Sequence, residues 1–240
     1  MQSIKNLTIK SKKNGVNLNN VSLEIREKDF VVITGENIKE VNLLLSVISG
    51  LVFNYTGEIY IDGIELTKHS GSQVLENRRK KFGCVLLGSE LDQNLTVSEN
   101  VSMPLVFSHL DPEEATTKLN RAISIMGLDN VKNERVSKLS DWQQNKVMLA
   151  RAIVNEPTTL VLYEPAKVVD ETKKNEIIKL LSALNREGVT IIVGGNDQSY
   201  LQVAKRIINI SGGVIEEQQK EKKNQTVRKR TTRAKKKEED

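Results

Sequence analysis

The chain has 240 residues, with 36 Lys and Arg against 31 Asp and Glu, one Cys and 38% hydrophobic residues. That length suits one large domain or two small ones with a buried core. The single thiol, Cys84, excludes an internal disulfide framework and fits a reducing cytoplasm. Residues 220–240 hold ten Lys or Arg and four Asp or Glu, while the other 219 residues hold 26 basic and 27 acidic groups, so the net charge of +5 belongs to the tail.

In chain order, the first residues lack the apolar core of a signal peptide. Residues 4–10 and 21–26 alternate at period two and predict a small antiparallel sheet near the start. Short β-rich runs follow at 31–34, 58–61, 84–87, 159–163, 190–193 and 207–210. Helical spacing fits 41–51, 112–126, 143–154, 173–186 and 199–205. Strands separated by helices of this length predict an α/β fold, a mostly parallel sheet with helices on both faces. The longest apolar stretch, 41–53, is broken by polar residues and is too short to span a bilayer. From about Glu216 to Asp240 the only large aliphatic residue is Val227 and no aromatic occurs, so a disordered basic tail is expected there.

The junction after the first β-rich run is distinctive. Residues 30–35 (FVVITG) form a buried strand, 36–42 (ENIKEVN) a seven-residue loop, and 43–51 (LLLSVISGL) an apolar helix ending at a glycine. That is the layout of a phosphate-binding loop. Downstream stand 55–63 (YTGEIYIDG), 95–101 (LTVSENV), 139–144 (LSDWQQ), 150–157 (ARAIVNEP), 160–165 (LVLYEP) and Val169-Asp170. This ordered set resembles the nucleotide-binding subunit of ATP-binding-cassette (ABC) transporters, in the branch serving lipoprotein-release, macrolide-export and cell-division permeases. It covers residues 3–215. The resemblance implies a P-loop-type cassette over residues 1–215, with a helical subdomain at about 88–155 and the basic tail at 216–240.

The resemblance also names the positions that handle ATP and Mg²⁺, and most of them are replaced. The family's loop reads G-x-x-x-x-G-K-[S/T]. Its glycines let backbone N–H groups wrap the phosphates, its Lys binds the β- and γ-phosphates and its hydroxyl holds Mg²⁺. Here Gly35 remains, but Glu40 stands for the second Gly, Val41 for the Lys and Asn42 for the hydroxyl residue. A carboxylate about 4 Å from one phosphate charge costs on the order of 4 kcal/mol at an effective dielectric of 20. That alone weakens binding about a thousandfold. The adenine-stacking aromatic falls near Ser11, the glutamine that senses Mg²⁺ at Leu87, the Mg²⁺-binding Asp at Tyr163 and the switch histidine at Asn196. His69 and His109 lie far from that position and read as surface residues. Glu164 keeps the catalytic-base position, yet a base needs a held phosphate and an oriented water. No catalysis, no metal and no bound ATP or Mg²⁺ are therefore expected.

The family's signature segment, whose helix N-terminus faces the phosphate held by an opposite subunit, reads Ser140, Asp141, Trp142, Gln143 after Leu139. Ser140 and Gln143 fit a capping box, and Asp141 in the first turn neutralises the helix dipole. The local reading is a well-capped helix. A sharper one makes Trp142, the only Trp, an anchor filling a vacated gap at a dimer interface.

The expected function is a catalytically degenerate cassette subunit with a binding role. Its partners would be a membrane permease, a second cassette (the same chain or another), or both, on the inner face of the plasma membrane. The region 87–110 corresponds to the family's docking site for a permease helix. The segment from Lys220 to Lys237 has ten bases and one acid. It would suit anionic lipid or, non-specifically, nucleic acid, with a merely solvated tail or a soluble scaffold as alternatives.

Overall fold

Strand β3 (Phe30–Thr34) sends Phe30 and Val32 into one apolar cluster and Val31 and Ile33 into another. The same split recurs in β7 (Thr159–Tyr163), where Leu160 and Leu162 oppose Val161 and Tyr163. In β8 (Thr190–Gly194), Ile191 and Val193 oppose Ile192. Side chains alternate along a strand, so these residues form a sheet covered on both faces. With β6 (Phe82–Val85), β9 (Arg206–Ser211) and β10 (Val214–Gln218), the order is β10-β9-β3-β8-β7-β6. Every pair is parallel except β10 with β9.

The second sheet, β2-β1-β4-β5, is antiparallel throughout, as the early period-two segments predict. It consists of β1 (Gln2–Lys10), β2 (Asn17–Ile25), β4 (Thr56–Ile61) and β5 (Ile64–Glu65). Helix α1 (Ile38–Ile48) touches both sheets, and its Val41, Leu44 and Leu45 share one core with Leu7, Val21 and Ile59. The opposite face of the large sheet is covered by α5 (Asp141–Ile153), α6 (Glu171–Arg186) and α7 (Gln198–Val203). Between β6 and β7 the described elements are helical: α3 (Val97–Ser102), a 3-10 turn (Met103–Phe107), α4 (Pro112–Ile125), two further short 3-10 turns, and α5. No helix among the described residues is long and apolar enough to cross a membrane.

This computed structural model describes residues 1–10, 15–66, 71–108, 110–165 and 170–218. Ser11, His69, His109, Val169 and the segment from Lys220 to Lys237 lie outside them. Helix α2 (Gly71–Lys81) does not show in the hydrophobic pattern, because GSQVLENRRKK has no apolar stripe. The run at 84–87 is displaced: β6 begins at Phe82 and ends at Val85. Strand β10 carries regular structure to Gln218, past Glu216 where the tail is expected to begin, because it pairs with β9 and Glu217 pairs with Arg206. One contact fixes how α5 meets the sheet. A Cβ on Gly83 would lie 1.9 Å from the Ala152 carbonyl oxygen, so strand and helix meet backbone to backbone.

Candidate functional site

The C-terminal ends of β3, β7 and β8 converge, which is where open α/β sheets place ligands. The ladder extends past them: Glu164 N–H donates to Gly194 O at 2.9 Å, and Gly195 N–H donates to Ile33 O at 3.0 Å. Gly35, Glu164 and Asn196 are thus brought into one group of loops, as the resemblance implies. Asn42 and Leu87 adjoin it through the bond described below.

The loop after β3 is shorter than the predicted seven residues, because α1 starts at Ile38 rather than near Val41. Asn37 is the reason. Its side chain is the N-cap and accepts from Lys39 N–H at 3.1 Å. Its carbonyl accepts from Glu40 N–H at 3.0 Å and Val41 N–H at 3.2 Å. Gly35 is held from the other side. Its N–H donates to Asn196 Oδ1 at 3.1 Å, and Asn196 Nδ2 donates back to Gly35 O at 2.9 Å. The amides of Gly35, Lys39, Glu40 and Val41 therefore all have internal acceptors.

The side chains at the positions that the resemblance assigns to phosphate and Mg²⁺ have the following surroundings. Val41 is 1% exposed. Its methyl carbons lie 3.1 Å and 2.9 Å from where a Cβ would sit on Gly35 and Gly194, so it fills the notch between the two strand ends. Glu40 is 8% exposed, and its Oε2 has no hydrogen-bond partner among the described residues. Asn42 Oδ1 accepts from Leu87 N–H at 2.9 Å, joining α1 to the segment that leaves β6.

Tyr163 is buried at the end of β7, and the aliphatic part of Glu164 covers Gly195. Glu164 adopts φ +40°, a left-handed conformation that costs a non-glycine residue about 1–2 kcal/mol. Asp197 caps α7 through Ser199 N–H and ion-pairs with Lys174 at 2.7 Å. Burial raises the Tyr200 hydroxyl pKa, and the neighbouring Asp197 and Glu164 charges raise it further. This constellation offers a triphosphate no cation at Val41, and Mg²⁺ no carboxylate at Tyr163 and no hydroxyl at Asn42. The residues do not fit that pair of ligands.

At the signature segment both halves of the capping box form. Gln143 N–H donates to Ser140 Oγ at 3.3 Å, and Ser140 N–H donates to Gln143 Oε1 at 3.0 Å. Asp141 is exposed in the first turn. Trp142 is half-buried against the core, with the Lys146 ammonium 5.1 Å from its ring centre.

The stretch from Leu87 onward divides cleanly. Val97, Val101 and Leu105 are buried in the core, whereas Leu87, Met103, Val106 and Phe107 are exposed, the last two at 75% and 57%. Arg79 stacks on Phe107 at 4.7 Å, beside a cavity of about 210 Å³ lined by Glu76, Arg79, Lys80, Leu110 and Lys118. Sequence reasoning missed the Asn37 cap, the Asn42–Leu87 bond and Arg79. Only Asn37, a strong N-cap residue before an apolar run, carried a readable signal.

Comparison with known proteins gives a consistent picture. The family model described as ABC transporter matches residues 18–167. The macrolide export ATP-binding/permease protein MacB of Mannheimia succiniciproducens is 31% identical over 198 residues, 82% of this chain and 31% of that protein. The chain thus spans about a third of that relative. The uncharacterized ABC transporter ATP-binding protein MJ0796 of Methanocaldococcus jannaschii is 31% identical over 204 residues, 83% of this chain and 87% of the relative. A dimeric post-hydrolysis structure of the MJ0796 cassette bound to ADP and Pi superimposes with a TM-score of 0.82, at 30% identity, covering 91% of this chain and 98% of that one.

Proposed function

Because the chain belongs to the ABC transporter family, as an ATP-binding domain of the branch that includes MacB and MJ0796, we propose that it is a cassette subunit that binds partners without turning over ATP. One observation carries this reading. Val41, at the position of the phosphate-binding lysine, is a core residue wedged between Gly35 and Gly194. The commitment of the Gly35, Lys39, Glu40 and Val41 amides to internal acceptors supports it. So does the capped helix at Ser140–Gln143, whose dipole Asp141 already offsets. Glu164 then has a packing role over Gly195 rather than a catalytic one.

In this reading the chain works in a membrane transport complex, peripheral to the inner face of the membrane. The region 87–110, in which Leu87, Met103, Val106 and Phe107 are exposed, receives a helix of the permease, and a second cassette packs against the face carrying Trp142. A heterodimer with an active cassette would still be weakened, because that partner's ATP would face Asp141 and Trp142. The cassette takes in residues 1–218, three more than the resemblance implies because β10 runs to Gln218, with a helical subdomain at about 88–155. The tail segment from Lys220 to Lys237, with ten bases, gives a second reading as a binder of anionic lipid or nucleic acid. Flotation with anionic vesicles and retention on nucleic acid, at matched salt and with a 220–240 deletion, separate the two ligands.

Titration calorimetry of the full chain with Mg-ATP tests the main reading. The expected result is no binding at micromolar concentrations. Micromolar affinity overturns it.

A further inference from the structure

The group of loops is held together by side chains. Asn196 Oδ1 and Nδ2 take both the N–H and the C=O of Gly35, a two-bond clasp between the end of β8 and the end of β3. Asn42 reaches from α1 to the Leu87 N–H, just beyond the end of β6. Leu87 is in turn part of a turn closed by Ser89: Ser89 Oγ accepts from Leu86 N–H at 2.9 Å, and Ser89 N–H donates to Leu86 O at 2.9 Å. Two asparagine ties that need no ligand therefore join the loop leaving β8 to the loop leaving β3, and helix α1 to the segment leaving β6. The second tie ends at Leu87, whose side chain is exposed.

We propose that Asn42 and Asn196 are fixed ties that hold the β8 loop on the β3 loop, and the segment leaving β6 on α1, without nucleotide, so that Leu87 is presented in one arrangement at all times. The inference rests on the reading that the site is silent toward ATP, and it goes further by assigning what replaces the ligand's bridging role. An amide bonded to a backbone carbonyl within its own loop moves with that loop. A side chain that crosses between two elements instead couples two backbones. Both asparagines cross. Asn196 is exposed and Asn42 half-buried, so neither is needed to fill the core.

The test is residue-resolved amide hydrogen exchange on the full chain, comparing wild type with Asn42→Ala, Asn196→Ala and the double variant, each with and without Mg-ATP. One hydrogen bond removed should speed exchange roughly three- to tenfold at the freed amide. Leu87 N–H should accelerate in Asn42→Ala while Gly35 N–H does not, and the reverse should hold in Asn196→Ala. Asn42→Asp, which keeps the acceptor oxygen, should retain protection at Leu87. Unchanged exchange at Val193 in the variants shows that the sheet is intact, and where an alanine variant unfolds, Asn42→Leu or Asn196→Leu, which keeps the bulk without the amide, takes its place. Wild-type exchange rates at Leu87 and Gly35 in the alanine variants overturn the ties. Slower exchange of the wild type on adding Mg-ATP overturns the silent-site reading instead, and leaves the ties to be judged from the variants alone.

Discussion

Restoring the lysine of the phosphate loop, as Val41→Lys, is the sharpest probe of how this site is built. Val41 is 1% exposed, and its methyls fill the space left by the two glycines, Gly35 and Gly194. Full burial of a valine contributes about 1.5–2 kcal/mol, at the lower end of the range for large apolar side chains. A lysine keeps part of that through its stem but must bring an ammonium group out of a position closed by strand ends. A net loss of about 2 kcal/mol follows from these two effects, and for a domain of this size that lowers the thermal midpoint by roughly 4–8 °C. Mg-ATP at a hundred times its dissociation constant would raise stability by about 2.7 kcal/mol, more than the loss. The expected result of thermal denaturation is a lowered midpoint that millimolar Mg-ATP does not restore. The loop amides remain spent on Asn37 and Asn196, and Tyr163 and Asn42 remain in place. A Val41→Lys variant as stable as wild type refutes the account of Val41 as core, and one whose midpoint Mg-ATP raises by several degrees refutes the account of the loop amides as spent.

Other outcomes follow from the same geometry. Ser140→Ala removes the side-chain acceptor of the α5 capping box and should cost about 1 kcal/mol in urea denaturation. Glu156 sits at φ +52° while pairing with Lys118 and Arg121, so Ala and Gly lose the same exposed ion pairs, but only Gly relieves the backbone. Glu156→Gly should therefore exceed Glu156→Ala by about 1 kcal/mol, and equal midpoints would falsify the strain argument. The Lys118 hydrogen bond lowers the Glu156 carboxyl pKa, and the Arg206 hydrogen bond lowers that of Glu217. A carboxyl lowered in the folded state stabilises fully above its unfolded value and loses that contribution as pH falls through the folded one. Stability should decline below the ordinary glutamate range, and less steeply in Glu156→Gln. Gly83→Ala would place a methyl on the Ala152 carbonyl, which should cost about 3 kcal/mol or prevent folding.

The fold was readable where pattern and chemistry agreed. Residues 159–163 alternate between two buried faces with no polar break and emerged as β7 with the same bounds. Ser140 and Gln143 carry a local rule that needs no tertiary context, and both capping bonds are present. The start of α1 was misplaced because its first turn, with Lys39 and Glu40, breaks the apolar pattern that sets in at Val41, although Asn37 ahead of Ile38 offered a cap. Helix α2 escaped because its sequence is almost wholly polar. At the site, the substitutions at Glu40, Val41 and Asn42 could be read directly, but their new partners could not. The Asn42–Leu87 bond joins residues 45 positions apart, and the Asn196–Gly35 clasp joins residues 161 apart. Only the parallel sheet, by setting strand ends side by side, makes such pairs neighbours.

The contact at Gly83 has a mechanical consequence. With no side chain to act as a cushion, a displacement at the Ala152 end of α5 passes into β6 without being absorbed by a change of rotamer. The opposite end of α5 is the capped turn at Ser140, and β6 leads directly into Leu87. Helix and strand thus keep one fixed separation at Gly83, which no rearrangement of side chains can open or close.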